Sequence, residues 1–377
     1  MKQGWEIKKL GEVCEIVGGS TPKTNEPSYW DGEHYWVTPA VLDGAKYLSS
    51  TSRTITDAGI KSAHLQLLPT GTVLLSSRAP IGKVAITTAP MYCNQGFKNL
   101  ICSDKLYNEF AYWFLYHNTE YLNSLGTGAT FKEISKRVVE QILIPIPPYA
   151  EQKRIVEILD REFEKIDALK ENAEKNLQHA KDLFQSALKQ ELQPKEGWLS
   201  STISEISENL DYRRVPVTKK DRKAGIYPYY GASGIVDYVD NFLFDEDLLL
   251  VSEDGANLVA RSTPIAFSVS GKIWVNNHAH ILRFPNIELQ RYVEYFFADY
   301  DISECVTGAA QPKFNQRALN NIVVTYPNER SEQKEVVARL DKLKEHCSAL
   351  EENYTKTIAL CDDMKQALLR KAFNGEM

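Results

Sequence analysis

Few groupings of residues in this chain have the spacing that catalysis demands. Ile146-Pro147-Pro148-Tyr149 has the outline of the Pro-Pro-Tyr motif with which adenine methyltransferases hold the amino group of their base. That chemistry needs a carbonyl-bearing residue in the first position, and Ile146 has none. The prolines read instead as a stop ahead of a helix that Glu151 begins. No glycine-rich loop after a strand offers a methyl-donor site, and Gly231-Ala232-Ser233-Gly234 lacks the Lys-Ser/Thr that holds phosphate and magnesium. His278 and His280 lie two apart without a third ligand near in sequence. Cys14, Cys93, Cys102, Cys305, Cys347 and Cys361 are scattered with no CxxC pair, so neither metal nor disulfide is expected. No carboxylate cluster of the nuclease type stands out. What remains is cationic: Arg213, Arg214, Lys219, Lys220, Arg222 and Lys223 form a run broken by Asp221, and Phe131 precedes Lys132, Lys136 and Arg137. Such runs suit phosphate contact or a solvated loop.

The elements that must position these residues follow from a repeat. Residues 151–192 align on 332–373 at a constant offset of 181, with identities such as Gln152/Gln333, Asp160/Asp341, Leu169/Leu350 and Gln185/Gln366. Both copies lack Pro and Gly, and their composition is that of a long helix. Val336, Leu340, Leu343, Cys347, Leu350, Tyr354, Thr357, Cys361, Met364 and Leu368 step by four and three, a heptad seam. Ile155, Leu159, Phe163, Ile166, Leu169, Ala173, Leu177, Ala180 and Phe184 form a similar stripe. The two stripes are expected to bury against each other. The segments before each helix are globular in pattern and echo each other, with Trp5 and Trp198 at their starts and a Thr-Gly turn late in each (Thr127-Gly128, Thr307-Gly308). The organisation is thus a globule at 1–149, a helix at 150–196, a globule at 197–330 and a helix at 331–377. The expected fold class is α+β: two mixed α/β globules separated by two long helices packed as an antiparallel coiled coil, with pseudo-two-fold symmetry. A parallel packing remains open.

The 377 residues carry a net charge of −6, and no segment is basic overall. This argues against DNA as a partner unless another subunit neutralises phosphate. No signal peptide or apolar run of membrane-spanning length is present, so a cytoplasmic location is expected.

At this point the chain resembles the specificity subunits of type I restriction-modification systems over essentially its whole length. The carriers in the first half are Gly18-Gly19-Ser20-Thr21-Pro22, Tyr35-Trp36-Val37-Thr38-Pro39, Leu74-Leu75-Ser76-Ser77-Arg78 and Asn94-Gln95-Gly96-Phe97. In the second half they are Tyr227-Pro228-Tyr229-Tyr230-Gly231, Asp254-Gly255-Ala256 and Asn276-Asn277-His278-Ala279-His280. Glu-Gln-Lys opens each long helix, at 151–153 and 332–334. The resemblance implies two target recognition domains, each reading half of a bipartite, asymmetric site in double-stranded DNA. It also implies two helical spacers that dock two adenine-N6 methyltransferase subunits, with motor-nuclease restriction subunits completing the assembly. S-adenosylmethionine, ATP and Mg2+ then belong to the partners, and this chain is not itself an enzyme.

On this resemblance the DNA-binding candidates of the first globule are Thr21, Lys23, Ser77, Arg78, Asn94, Gln95, Lys98, Thr127 and Lys132. Arg78 suits guanine, and Asn94 and Gln95 suit adenine or a backbone-held turn before Gly96. The second globule offers Arg213, Arg214, Tyr229, Tyr230, Ser252, Asp254, Lys272, Asn277, His278, Gln311 and Lys313. Partner-binding candidates are Glu151, Gln152, Asp182 and Gln185 on the first helix, and Glu332, Gln333, Asp363 and Gln366 on the second. The competing readings are a fused enzyme and a coiled-coil adaptor that binds protein without sequence-specific DNA binding.

Overall fold

The computed structural model describes residues 4–78, 80–128, 132–308 and 311–377; Phe131 lies outside them. The fold is α+β, and the chain divides into two compact units, one formed by 1–173 with 356–377 and the other by 174–355.

In the first unit Glu6–Lys9 pairs antiparallel with Leu143–Ile146, so the start of the globule is tied to the strand that ends it. A five-stranded sheet runs Cys14–Gly18, Lys98–Cys102, Val73–Leu75, Val84–Thr87, Tyr47–Leu48. Val73–Leu75 and Val84–Thr87 are buried along their whole length. A continuous apolar run suits a strand covered on both faces. The aromatic helix Asn108–His117 packs on this sheet, its Phe110, Tyr112, Trp113 and Phe114 buried in the main core.

The second unit repeats the plan with different residues. Leu199–Thr202 pairs with Val323–Tyr326. One of its two four-stranded sheets runs Glu208–Asn209, Ala279–Arg283, Leu248–Ser252, Ala266–Val269, and the helix Ile287–Asp299 covers it. Each globule closes with a short helix capped by a polar side chain: Ser135 Oγ accepts from the Val138 amide, and Asn315 Oδ1 from that of Ala318.

The long helices are Tyr149–Glu191 and Arg330–Asn374, each roughly 65 Å at about 1.5 Å per residue. In the first unit Arg154 donates to the Met377 carbonyl at 2.9 Å, Asp167 pairs with Lys365, and Lys170 lies 2.7 Å from Asp362. In the second, Phe184 and Gln185 share a pocket with Lys344 and Cys347, and Glu191 meets Arg339 at 2.8 Å. Rising numbers on one helix meet falling numbers on the other, so the pair is antiparallel within each unit.

The seam is narrower than the heptads imply. Leu169, Leu350 and Met364, placed in it by spacing, are 47, 39 and 49% exposed. A straight helix drifts by about 20° per heptad, so a strict four-three stripe turns away from its partner.

Gln152 and Gln333, expected on an outward docking face, are corrected to interior positions. Gln152 accepts from the Tyr107 amide at 2.8 Å and donates to the carbonyls of Lys105 and Pro147, both at 2.9 Å. Gln333 repeats the bond to the proline ahead of its helix, donating to Pro327 O at 2.8 Å, while its Oε1 has no partner among the described residues. Asp160 and Asp341, also 181 apart, each receive a cation and a ring donor from their own globule. Lys46 (2.6 Å) and the Trp113 indole (2.9 Å) reach Asp160; Arg291 and the Tyr295 hydroxyl, both at 2.5 Å, reach Asp341.

In the second unit a buried network ties strand to loop. His280, only 1% exposed, places Nδ1 2.6 Å from Asp211 and Nε2 2.8 Å from the Phe314 carbonyl. Arg214 lies between Asp211 and Glu253, at 3.5 and 2.6 Å. Burial pushes the Asp211 carboxyl up, but the His280 hydrogen bond and charge, the Ile281 amide and Arg214 outweigh it and hold it below the usual carboxylate value.

Two outcomes are expected. Gln152→Ala strands three backbone partners and costs about 1–3 kcal/mol, visible as a lowered denaturant midpoint; Gln333→Ala costs less, and equal costs would contradict the assignment. Because Asp211 is depressed in the folded state, its contribution is complete above its ordinary value and disappears as pH falls through the folded one. Asp211→Asn is therefore less stable at neutral pH and loses less on acidification, as read by unfolding curves at stepped pH.

Candidate nucleic-acid interface

The polar loops of each globule gather where three pieces of chain meet: the end of the central strand, a turn, and a small hairpin. In the first unit the Ser77 amide donates to Gly96 O at 2.7 Å and the Ile134 amide to Ser77 O at 2.9 Å, while Arg78 and Thr127 both bridge to Glu133. Arg78 Nε donates to Glu133 at 2.8 Å, and Lys98 Nζ reaches the other carboxylate oxygen at 3.2 Å. The two cations hold Glu133 below the usual carboxylate range against the opposing effect of burial. Thr21 and Gln95 join side chain to side chain at 2.5 Å beside this turn, and Thr127 and Lys132 are exposed on the hairpin. Lys23 is exposed, its carbonyl accepting from the Trp30 indole at 3.1 Å. Asn94 Oδ1 accepts from the Gly96 amide at 2.9 Å, the turn-holding role. Ser77 is a correction: fully buried, it belongs to the scaffold and not to the surface.

In the second unit the same junction brings together Asp254, His278 and Lys313, and Thr307 pairs with Lys313. Asn277, Gln311 and Lys313 are exposed, Tyr230 is half-buried, and Lys272 stands 4.9 Å above the Phe242 ring. Several candidates are corrected inward. Ser252 is buried and donates to Ala232 O. Tyr229 is 1% exposed, its hydroxyl 3.0 Å from the Val217 amide. Arg214 is spent on Asp211, Glu253 and the Ala279 carbonyl.

The basic run therefore divides. Arg213 pairs with Glu246 at 3.3 Å and Arg222 with Asp237 at 3.1 Å, each guanidinium also over a ring, whereas Lys219, Lys220 and Lys223 point out. Arg53, which no motif marked, is exposed and stacks 3.8 Å over Trp30, a cation–π contact whose partner is 23 residues away in sequence. Asp211, Glu253 and His280 are the one group among the described residues with metal-ligand geometry, and Arg214 already supplies its positive charge.

On the helices Asp182, Gln185, Asp363 and Gln366 are exposed. Glu151 pairs with Arg154 at 2.7 Å, and Glu332 accepts from the Trp198 indole at 3.0 Å. The sequence stripe concealed an apolar face. Leu169 and Met364 in the first unit and Leu350 and Leu183 in the second are exposed at positions equivalent by the offset of 181. In the first unit Ile166, Leu169, Met364, Ala367 and Leu368 line a groove of about 380 Å³.

Comparison with known proteins bears on this arrangement. Residues 2–179 and 195–360 match the type I restriction modification DNA specificity domain. The chain is 40% identical to the type I restriction enzyme MjaIX specificity subunit of Methanocaldococcus jannaschii, over 41% of this chain and 37% of that protein. It is 24% identical to the type I restriction enzyme EcoKI specificity subunit of Escherichia coli K12, over 100% of this chain and 90% of that one. Among solved structures, the HsdS subunit from Thermoanaerobacter tengcongensis shares the fold at a TM-score of 0.66 and 18% identity, covering 100% of this chain and 98% of that one. A chain from a study of assembly and conformational transition in the type I R-M system does so at 0.78 and 18%, covering 100% and 99%. With its twofold match to the specificity-domain model spanning most of its length, the chain belongs to the family of type I restriction-modification DNA specificity subunits.

Proposed function

We propose that this chain binds a bipartite, asymmetric site in double-stranded DNA and directs two adenine-N6 methyltransferase subunits, and with them motor-nuclease restriction subunits, to that site. The observation that carries this reading is the junction of strand end, turn and hairpin, built twice with the same backbone pairing and different side chains. One scaffold carrying two sets of polar loops suits two different half-sites. The chain is read as non-catalytic, with S-adenosylmethionine, ATP and Mg2+ held by the partners. Flipping and methylating a base needs a pocket and donor site of its own, and no motif for either occurs in this sequence. Because the net charge is −6 and most arginines of the second unit are ion-paired, we assign much of the phosphate neutralisation to the partner subunits. Leu169, Leu350, Leu183 and Met364, with Asp182, Gln185, Asp363 and Gln366 near them in sequence, form the proposed docking faces for two methyltransferases.

Co-expression with a methyltransferase subunit of the host, followed by mapping of N6-methyladenine across host DNA, is expected to give a two-part motif with a fixed unspecified gap. A stable complex without any such motif would favour the protein-binding adaptor. For docking, Leu169→Asp or Leu350→Asp alone is expected to leave one methyltransferase bound per chain and the double substitution none, on gel filtration with light scattering, each apolar anchor contributing about 2 kcal/mol or more. Full stoichiometry in the double variant would move the docking face elsewhere.

A further inference from the structure

The two junctions place opposite charges at the same point. Ser77 and Glu253 correspond, each accepting through its carbonyl from the hairpin (Ile134 amide at 2.9 Å, Phe314 amide at 2.7 Å) and donating through its amide to the facing turn (Gly96 O at 2.7 Å, His278 O at 2.9 Å). The next residue in each case, Arg78 or Asp254, bridges to the hairpin residue Glu133 or Lys313. With the backbone bonds matched, the difference between the units at this point lies in the side chains, and their polarity is inverted at both positions.

What each junction presents outward also differs in kind. Arg78 spends Nε on Glu133 at 2.8 Å and keeps its side chain 45% exposed, with neither Nη bonded among the described residues. The free end of the guanidinium is a pair of parallel N–H donors on a braced stem, the geometry that matches guanine O6 and N7. In the second unit Asp254, 16% exposed, lies with both oxygens 2.9 Å from His278 Nδ1, and the imidazole is 48% exposed. With its hydrogen on Nδ1 toward the carboxylate, the imidazole has Nε2 as an acceptor. An acceptor there suits an exocyclic amine, adenine N6 or cytosine N4, and does not suit guanine O6.

Building on the proposed DNA-reading function, we propose that these are the equivalent base-reading positions of the two domains. Arg78 selects a guanine in one half-site, and His278, oriented by Asp254, selects an amine-bearing base, adenine or cytosine, in the other. Arg78 and His278 are then specificity-determining residues, with Glu133 and Asp254 as their positioning residues.

The test uses the full chain co-expressed with the methyltransferase subunit, with motifs mapped by long-read detection of N6-methyladenine and duplexes carrying each base at the affected position competed in vitro. Arg78→Lys keeps a cation beside Glu133 but loses the fork. It is expected to lower the preference for one guanine roughly tenfold or more while leaving the other half-site unchanged. His278→Phe is expected to relax one adenine or cytosine in the opposite half-site. The proposal is overturned if Arg78→Lys retains full discrimination in the duplex competition, if the relaxed position is not a guanine, or if both substitutions act on the same half-site. Should Arg78→Lys abolish methylation in cells, the same competition with the purified complex decides, since discrimination is read there from binding. Absence of any bipartite motif in the unsubstituted complex is a different result, and counts against the DNA-reading function itself.

Discussion

Much of this structure depends on the way the long helices are held at their beginnings. The first amides of a helix have no partner within it, and a helix of more than 40 residues with charged faces gains most of its stability from what covers its apolar stripe. Here the preceding proline loop and globule meet both needs. The Pro148 carbonyl takes the amides of Glu151 and Gln152, and the Gln152 side chain, fully buried, binds the loop before the aromatic helix as well as Pro147. Two turns further on, Asp160 is gripped by Lys46 and Trp113. The helix is thereby set at one angle to its own sheet, and the positions of the polar loops relative to that helix follow.

The second unit shows which part of that arrangement is invariant and which is free. Asp341 keeps the place of Asp160, but its cation comes from Arg291 on the covering helix instead of from a loop, and its ring donor is a tyrosine hydroxyl instead of an indole. Gln333 keeps its proline bond and loses the others. A carboxylate on the helix is indifferent to which donor reaches it, so long as a cation and a ring N–H or O–H arrive together. That tolerance lets two very different globules dock on related helices, and it accounts for helix identities persisting at offset 181 while the globules share little beyond their order of elements.

The repeat, the long helices and the place of the loops were legible because each is written locally: gapless identities, absence of Pro and Gly, glycine turns. What was not legible depends on partners distant in sequence. The spacing of Gln152 and Gln333 marks them as helix-surface residues; only the loop at 105–107 makes the first of them interior. The arginines at 213, 214 and 222 look like a phosphate-binding run, yet their acids, Glu246, Glu253 and Asp237, lie 15 to 39 residues away and draw them inward. Leu169 and Leu350 fit a heptad, and the drift of a straight helix against that period turns them out. The Arg78–Glu133 pair spans 55 residues, so no motif announces it.

These pairings change how the acidic balance of the chain is to be understood. A net negative charge is unfavourable for non-specific attraction to phosphate, but sequence selection rests on direction more than on total charge. A cation braced by a carboxylate loses some of its general attraction for DNA and gains a fixed orientation; Arg78 against Glu133 and Lys98 against the same acid are of this kind. The acids that lower the total charge are in part the groups that hold these cations in place. In a specificity subunit that works beside other subunits, attraction and orientation can reside on different chains. Arg78, Arg213, Arg214 and Arg222 of this chain are cations of the braced kind.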